Sequence, residues 1–159
     1  MIQLYHGSNM AIEQIDLSKG RKGKDFGQGF YLTDIKQQAL DMAVRRTKIV
    51  GSGTPTVTSY LFDETLMKSG ELKVLTFDKP DVSWAMFIVK NRMSDKTGYK
   101  HDYDIVFGPV ADDGVLLSIS LYVDRVISEK DLVGRLTYKK LSNQYFFGTE
   151  RAISKLKKL

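Results

Sequence analysis

Four groups of residues have the types and spacing to do chemistry. His6 stands beside Gly7 in Tyr5-His6-Gly7-Ser8. An imidazole can donate to or accept from a sugar hydroxyl, its tautomer fixed by whatever holds the other ring nitrogen. The adjoining glycine lets backbone N–H and C=O approach a planar amide without a Cβ in the way. Read alone, however, His6 is an ordinary satisfied histidine in a strand. Tyr31 follows Gly27-Gln28-Gly29-Phe30, and a tyrosine at a cleft mouth can stack on a flat heterocycle, worth about 0.5–1.5 kcal/mol beyond its burial. The same stretch also reads as a bulge leading into a strand. Gln144, in Asn143-Gln144-Tyr145, offers an uncharged acceptor to a hydroxyl or is a surface glutamine at a strand start. Lys19, Arg21, Lys22 and Lys24 lie between the first two groups. They suit phosphate groups or form a solvated charge cluster.

Composition narrows the chemistry. The chain has 159 residues, the span of one domain, with 42% hydrophobic and 27% charged residues. That mix is globular and large enough to bury a core unaided. Cysteine is absent, which excludes disulfides, thiolate nucleophiles, zinc ribbons and iron–sulfur clusters. Two histidines, His6 and His101, argue against a histidine-rich metal site, and no metal is expected. The net charge of +5 favours acidic or phosphate-bearing partners. No run approaches the roughly 18 apolar residues of a membrane span, and the first residues carry no secretory pattern. The expectation is a cytoplasmic protein, or one exported without an amino-terminal mark, and no membrane partner.

Positioning these groups requires strands. Ile2–His6 reads as a strand, 18–25 as a Gly- and Lys-rich loop, and the stretch ending at Thr33 as an aromatic strand. Thr33 or Asp34 is expected to cap a helix carrying Ile35, Ala39, Met42 and Ala43. Thr56–Phe62 and Leu72–Phe77 read as strands. Asp81 opens a helix with Trp84, Phe87, Ile88 and Asn91 on one face. Tyr103–Gly108 is a buried strand, 115–123 fits either strand or helix, and Ser128 caps a helix to about Leu136. Asn143–Gly148 is a last strand. Thr149 is expected to cap a basic terminal helix with Ile153, Leu156 and Leu159 on its face and Arg151, Lys155, Lys157 and Lys158 solvated. Strands and helices do not alternate regularly, so the class is α+β.

In their order, the blocks Tyr5-His6-Gly7-Ser8, Gly27-Gln28-Gly29-Phe30-Tyr31-Leu32-Thr33 and Asn143-Gln144-Tyr145-Phe146-Phe147 resemble the three motifs of ADP-ribosyltransferases of the diphtheria-toxin and poly(ADP-ribose) polymerase type. The whole chain is similar to a mostly bacterial family of that clan. The shared features are the Tyr-His-Gly-Ser opening, Tyr103–Asp113, and the closing Gln-x-x-Phe-x-Thr-Glu ending at Glu150. The resemblance implies a split β-sandwich core with flanking helices over 1–159. It implies NAD as co-substrate and mono-ADP-ribosyl transfer to a protein or nucleic acid, as the toxin of a toxin–antitoxin or phage-defence pair with an antitoxin partner. A catalytically silent NAD- or nucleic-acid-binding module of the same fold is the alternative. On this resemblance His6, Tyr31 and Gln144 carry catalysis, and His6, Gly7, Ser8, Lys24, Gly29, Phe30, Tyr31 and Met42 contact NAD. Two positions depart from the pattern. Gln144 stands where the enzymes usually have glutamate, whose charge supports the oxocarbenium-like transition state. Met42 stands where a second tyrosine usually lies. Glu150 is a secondary candidate carboxylate. Asp104, Asp112 and Asp113 line an acceptor site or sit in turns, the last two more naturally in turns.

Overall fold

The β-branched and aromatic residues of Thr56–Phe62 fit a pleated, half-buried ladder. They form β3, which pairs antiparallel with β1 (Ile2–Ser8) in unbroken register from Ile2 opposite Phe62 to Ser8 opposite Thr56. A two-residue strand near the carboxyl end, Lys157–Lys158, completes this sheet on the other edge of β3. The second sheet is built on Ile105–Pro109. That strand lies parallel to Val74–Thr76 on one side and antiparallel to Asn143–Phe147 on the other, with Phe30–Leu32 at the far edge. In chain order these strands are β2 (Phe30–Leu32), β4 (Val74–Thr76), β5 (Ile105–Pro109), β6 (Asn143–Phe147) and β7 (Lys157–Lys158). The computed structural model describes residues 1–159 and is α+β, as expected.

A single seam joins the two sheets. Tyr5 in β1 and Thr33, just past β2, exchange both backbone hydrogen bonds, at 2.8 and 3.0 Å. The inner faces share a core of Leu4, Phe30, Leu32, Tyr60, Phe62, Ile105 and Phe147. A second core, with Trp84, Phe87, Ile88, Val106, Val115, Leu132 and Phe146, covers the outer face of the β5–β6 sheet with helices. The helices are α1 (Lys36–Val50), α2 (Val82–Arg92), α3 (Ser94–Thr97), α4 (Asp113–Val123), α5 (Glu129–Thr137) and α6 (Glu150–Ile153). No helix is long and apolar enough to cross a membrane.

Several local expectations need correction. Residue 35, not Thr33 or Asp34, is the N-cap of α1, and no side chain caps the helix. Thr33 instead turns its hydroxyl to the Ile35 amide (3.1 Å). The first strand runs on to Ser8, and the fourth is shorter than expected. The ambiguous 115–123 stretch is helical, because Asp112 caps it through the Val115 amide (2.7 Å) and Val115 and Ile119 bury one face. Asp112 and Asp113 therefore start a helix rather than sit in a turn. The terminal helix stops at Ile153, and the chain returns as β7, with the Leu159 amide bonded to the Ser59 carbonyl (3.0 Å). Lys155, Lys157 and Lys158 therefore lie beyond the helix rather than on its face, and Arg151, Lys155 and Lys158 pair with Asp104, Glu71 and Glu13.

Candidate functional site

Beyond the Tyr5–Thr33 seam the two edge strands part, and the parting leaves backbone groups free. Alternate residues of an antiparallel strand point their N–H and C=O to opposite sides. Tyr5 spends both on Thr33, away from β3, and its ladder partner Ser59 likewise turns its carbonyl away, to Leu159. Gly7 has the same parity as Tyr5, and neither its N–H nor its C=O has a hydrogen-bond partner. Across the opening lies Tyr31, two residues before Thr33, whose N–H is unpaired as well. The gap thus holds a donor and an acceptor from Gly7 and a donor from Tyr31. A Cβ built on Gly7 would overlap the Ala39 carbonyl of α1. The missing side chain is therefore required by helix packing, while the ligand-facing groups are the backbone edge itself.

His6 bridges the gap. Its Nδ1 lies 2.8 Å from the Tyr31 carbonyl oxygen. A carbonyl only accepts, so Nδ1 carries the hydrogen and Nε2 of the neutral ring presents a free lone pair. Burial holds the His6 pKa below the ordinary histidine value and the Lys24 charge lowers it further, against the bond to Tyr31. The Phe30 ring stacks on the imidazole at 4.3 Å and fixes its plane. Ser8, next in the strand, turns its hydroxyl to Asn9 (3.3 Å).

Tyr31 anchors the basic loop. Its hydroxyl accepts from the Phe26 amide (3.0 Å) and donates to the Gly27 carbonyl (2.7 Å). Desolvation raises its pKa, so the phenol stays protonated. Phe146 meets the ring edge-on at 5.3 Å, and the Lys24 ammonium sits 4.1 Å from the ring centroid. Such a contact is worth about 0.5–1 kcal/mol at an exposed site. Lys24 has no carboxylate partner. Desolvation of the ammonium and the charges of Arg21 and Arg46 lower its pKa, against Asp25. Gln28 holds the loop from the other side, donating to the Ser18 (3.1 Å) and Gly20 (2.8 Å) carbonyls. Gly29 is also a packing requirement, since a Cβ there would overlap the Phe146 ring.

Gln144 lies on the same face of the sheet as Tyr31. Register sets Phe146 opposite Tyr31, and Gln144 is two residues away along β6. Gly108 is its partner on β5, and Phe26 and Phe77 come close to that glycine. The Gln144 Nε2 is buried with no hydrogen-bond partner. Leaving such a group unsatisfied costs about 1–3 kcal/mol, and a bound oxygen would remove that cost. No hydrogen bond joins Gln144 to His6 or Tyr31.

Met42 is on α1 and 51% exposed. It shares a helix flank with Gln38 and Arg45, at helical spacings of four and three. Gln38 accepts from the Thr33 hydroxyl (3.0 Å) at the start of the helix. Arg46, near Lys24, is a site residue that the motif reading missed. It follows Ala39 and Ala43 at i+7 and i+3, the stripe that packs on Gly7, and that spacing was visible in the sequence.

The remaining candidates lie elsewhere. Asp104 is 2% exposed and bonded to Arg151, the Thr149 hydroxyl (2.6 Å) and the Lys73 amide (2.7 Å). Those three bonds outweigh burial and hold its carboxyl below the usual range. It ties the start of β5 to the residues before β4 and to the start of α6. Glu150 opens α6, is exposed and makes no hydrogen bond to His6, Tyr31 or Gln144. His101 is the satisfied core type, its Nε2 donating to the Phe26 carbonyl (2.6 Å) and its Nδ1 accepting from the Tyr103 amide (3.1 Å). No cluster of three metal-ligating side chains occurs. Two surface grooves, of about 410 Å³ beside Phe107 and Tyr145 and about 150 Å³ beside Asp81 and Leu136, are separate from the gap.

The site therefore joins His6, Gly7, Tyr31 and Lys24 directly and adds Gln144 on the shared sheet face. Neither a curated protein nor a solved structure matches the chain. Residues 2–158 match one family throughout, and the chain belongs to it: the family described as "Protein of unknown function (DUF3990)".

Proposed function

We propose that this chain is an NAD-dependent mono-ADP-ribosyltransferase acting on a macromolecular acceptor, with its two sheets forming the split β-sandwich core of that class. The observation that carries the reading is the unpaired N–H and C=O of Gly7, facing Tyr31 across the opened seam. A carboxamide presents an acceptor and donors in one plane. The Gly7 N–H donates to its oxygen, and the Gly7 carbonyl accepts from its NH2. The Tyr31 ring receives the heterocycle, and the Lys24 contact marks that face as receptive to a positive group, which the pyridinium of NAD is. Lys24 then moves to the pyrophosphate, where Arg46 supplies a second cation. His6 Nε2 accepts from a ribose hydroxyl, and the orphaned Gln144 Nε2 donates to a ribose oxygen.

NAD brings a glycosidic carbon already activated by its leaving group. The C1′–N bond breaks with its electron pair going to nicotinamide. The acceptor heteroatom bonds C1′ and gives up its proton to solvent water. Gln144 orients the ribose without a charge to oppose the positive charge developing there, so rate enhancement rests on positioning. That missing charge also favours the second reading, a silent module that binds NAD and leaves it whole.

Incubation with adenylate-labelled NAD and a cell lysate separates the two. Transfer predicts label on protein or nucleic acid with the wild-type chain and none with His6→Ala. Bound but intact NAD, with no labelled acceptor, would overturn transfer and leave the silent module, for which Gln144→Glu is expected to gain NAD hydrolysis.

A further inference from the structure

The net charge of this protein is concentrated in one stretch of chain, the basic loop, β2 and α1. Residues 19–48 hold eight cations and three carboxylates, so this stretch alone carries +5, the charge of the whole chain. The other 129 residues hold sixteen of each sign. All six ion pairs engage cations outside the stretch, and each of its eight cations is exposed and unpaired. The fold gathers them on two elements that border the gap. One is the loop carrying Arg21, Lys22 and Lys24, hung on the Tyr31 hydroxyl and the Gln28 amide. The other is α1, which packs on Gly7 through Ala39 and Ala43 and whose Arg46 lies near Lys24.

A pyrophosphate carries two negative charges, which Lys24 and Arg46 can meet. The surplus, with Arg21 and Lys22 on the same loop as Lys24, matches an extended polyanion rather than one small ligand. We infer that this surface docks a nucleic-acid strand by its phosphodiester backbone and that nucleic acid is the acceptor presented to the gap. The second part rests on the transferase reading, whereas the docking itself does not. Backbone contacts fix register without reading sequence, so base choice falls to the gap.

The test uses fluorescence anisotropy of the full chain with fluorescein-labelled single-stranded DNA and RNA 12-mers and with fluorescein-labelled polyglutamate, without NAD. For about four phosphates contacted, oligonucleotide affinity is expected to fall about 50-fold between 50 and 200 mM salt. Arg21→Glu/Lys22→Glu should weaken it at least about tenfold. Lys68→Glu/Lys130→Glu makes the same charge change on exposed, unpaired residues away from the basic loop and α1. It should change affinity less than about threefold. The DNA and RNA arms decide which strand is preferred. Absence of oligonucleotide binding, equal weakening by both double variants, or tighter binding of polyglutamate would overturn the inference, the last pointing to an acidic protein partner. Oligonucleotide binding by a chain that never cleaves NAD would keep the docking surface and remove its role as acceptor site.

Discussion

Lys24 has two uses that exclude each other, a resting place over the Tyr31 ring and a role at the pyrophosphate. Replacing it with methionine separates them. Lys24→Met should bind free nicotinamide about two- to fivefold more tightly, because the competing ammonium is gone. It should bind ADP-ribose at least about fivefold more weakly, because a charged hydrogen bond is lost. Calorimetry with the two ligands reads both numbers, and movement in the same direction would refute the exchange. Tyr31 divides in the same way between ring and hydroxyl. Tyr31→Phe keeps the ring and loses the bonds to the Phe26 amide and Gly27 carbonyl, for a cost of about 1–3 kcal/mol in denaturant unfolding. Amide exchange at Phe26 should quicken, and an unchanged midpoint would contradict the anchoring role.

Elements place these residues, and β1 meets α1 with no room for a side chain at Gly7. Gly7→Ala should destabilise the fold by about 3 kcal/mol or prevent folding, because the added methyl meets the Ala39 carbonyl, which is backbone and cannot rotate away. Thermal unfolding of Gly7→Ala checks this, and a melting temperature within a degree of wild type would contradict it. Strand β3 and helix α2 were legible in the sequence because β-branched alternation and the Asp81 cap speak locally. Helix α4 was not, since an apolar run fits both periods and the Asp112 that caps it reads equally as a turn residue, so burial of Val115 and Ile119 has to decide. The carboxyl end misled for a related reason. Its basic residues suit a helix end, yet Lys157 and Lys158 find the unpaired edge of β3, a long-range partner that no local pattern announces. At the site, His6, Gly7 and Tyr31 were legible as motifs. The reason for Gly7 was not, because only the path of α1 shows what fills the space of its missing Cβ.

At the scale of the molecule, both histidines link folding to pH. Burial lowers the pKa of His6 and of His101, and each uses Nδ1 in a bond that fixes the neutral tautomer. The unfolded chain takes up protons at histidine as pH falls through about 6.5, while the folded chain resists. Their contribution to stability is therefore complete above that pH and is lost progressively below it. Urea midpoints should drop from pH 7.5 to pH 5.5, and a flat or rising profile would contradict this. The sheets that meet at Tyr5–Thr33 and part at Gly7–Tyr31 make the candidate pocket a property of the whole fold. The most direct measurement is a proton–nitrogen correlation spectrum of the nitrogen-15-labelled protein titrated with nicotinamide and then with NAD. If the Gly7 backbone edge grips the carboxamide, the Gly7 and Tyr31 amide resonances move first and saturate together with either ligand. If they stay fixed while either ligand binds elsewhere or not at all, the central claim is wrong.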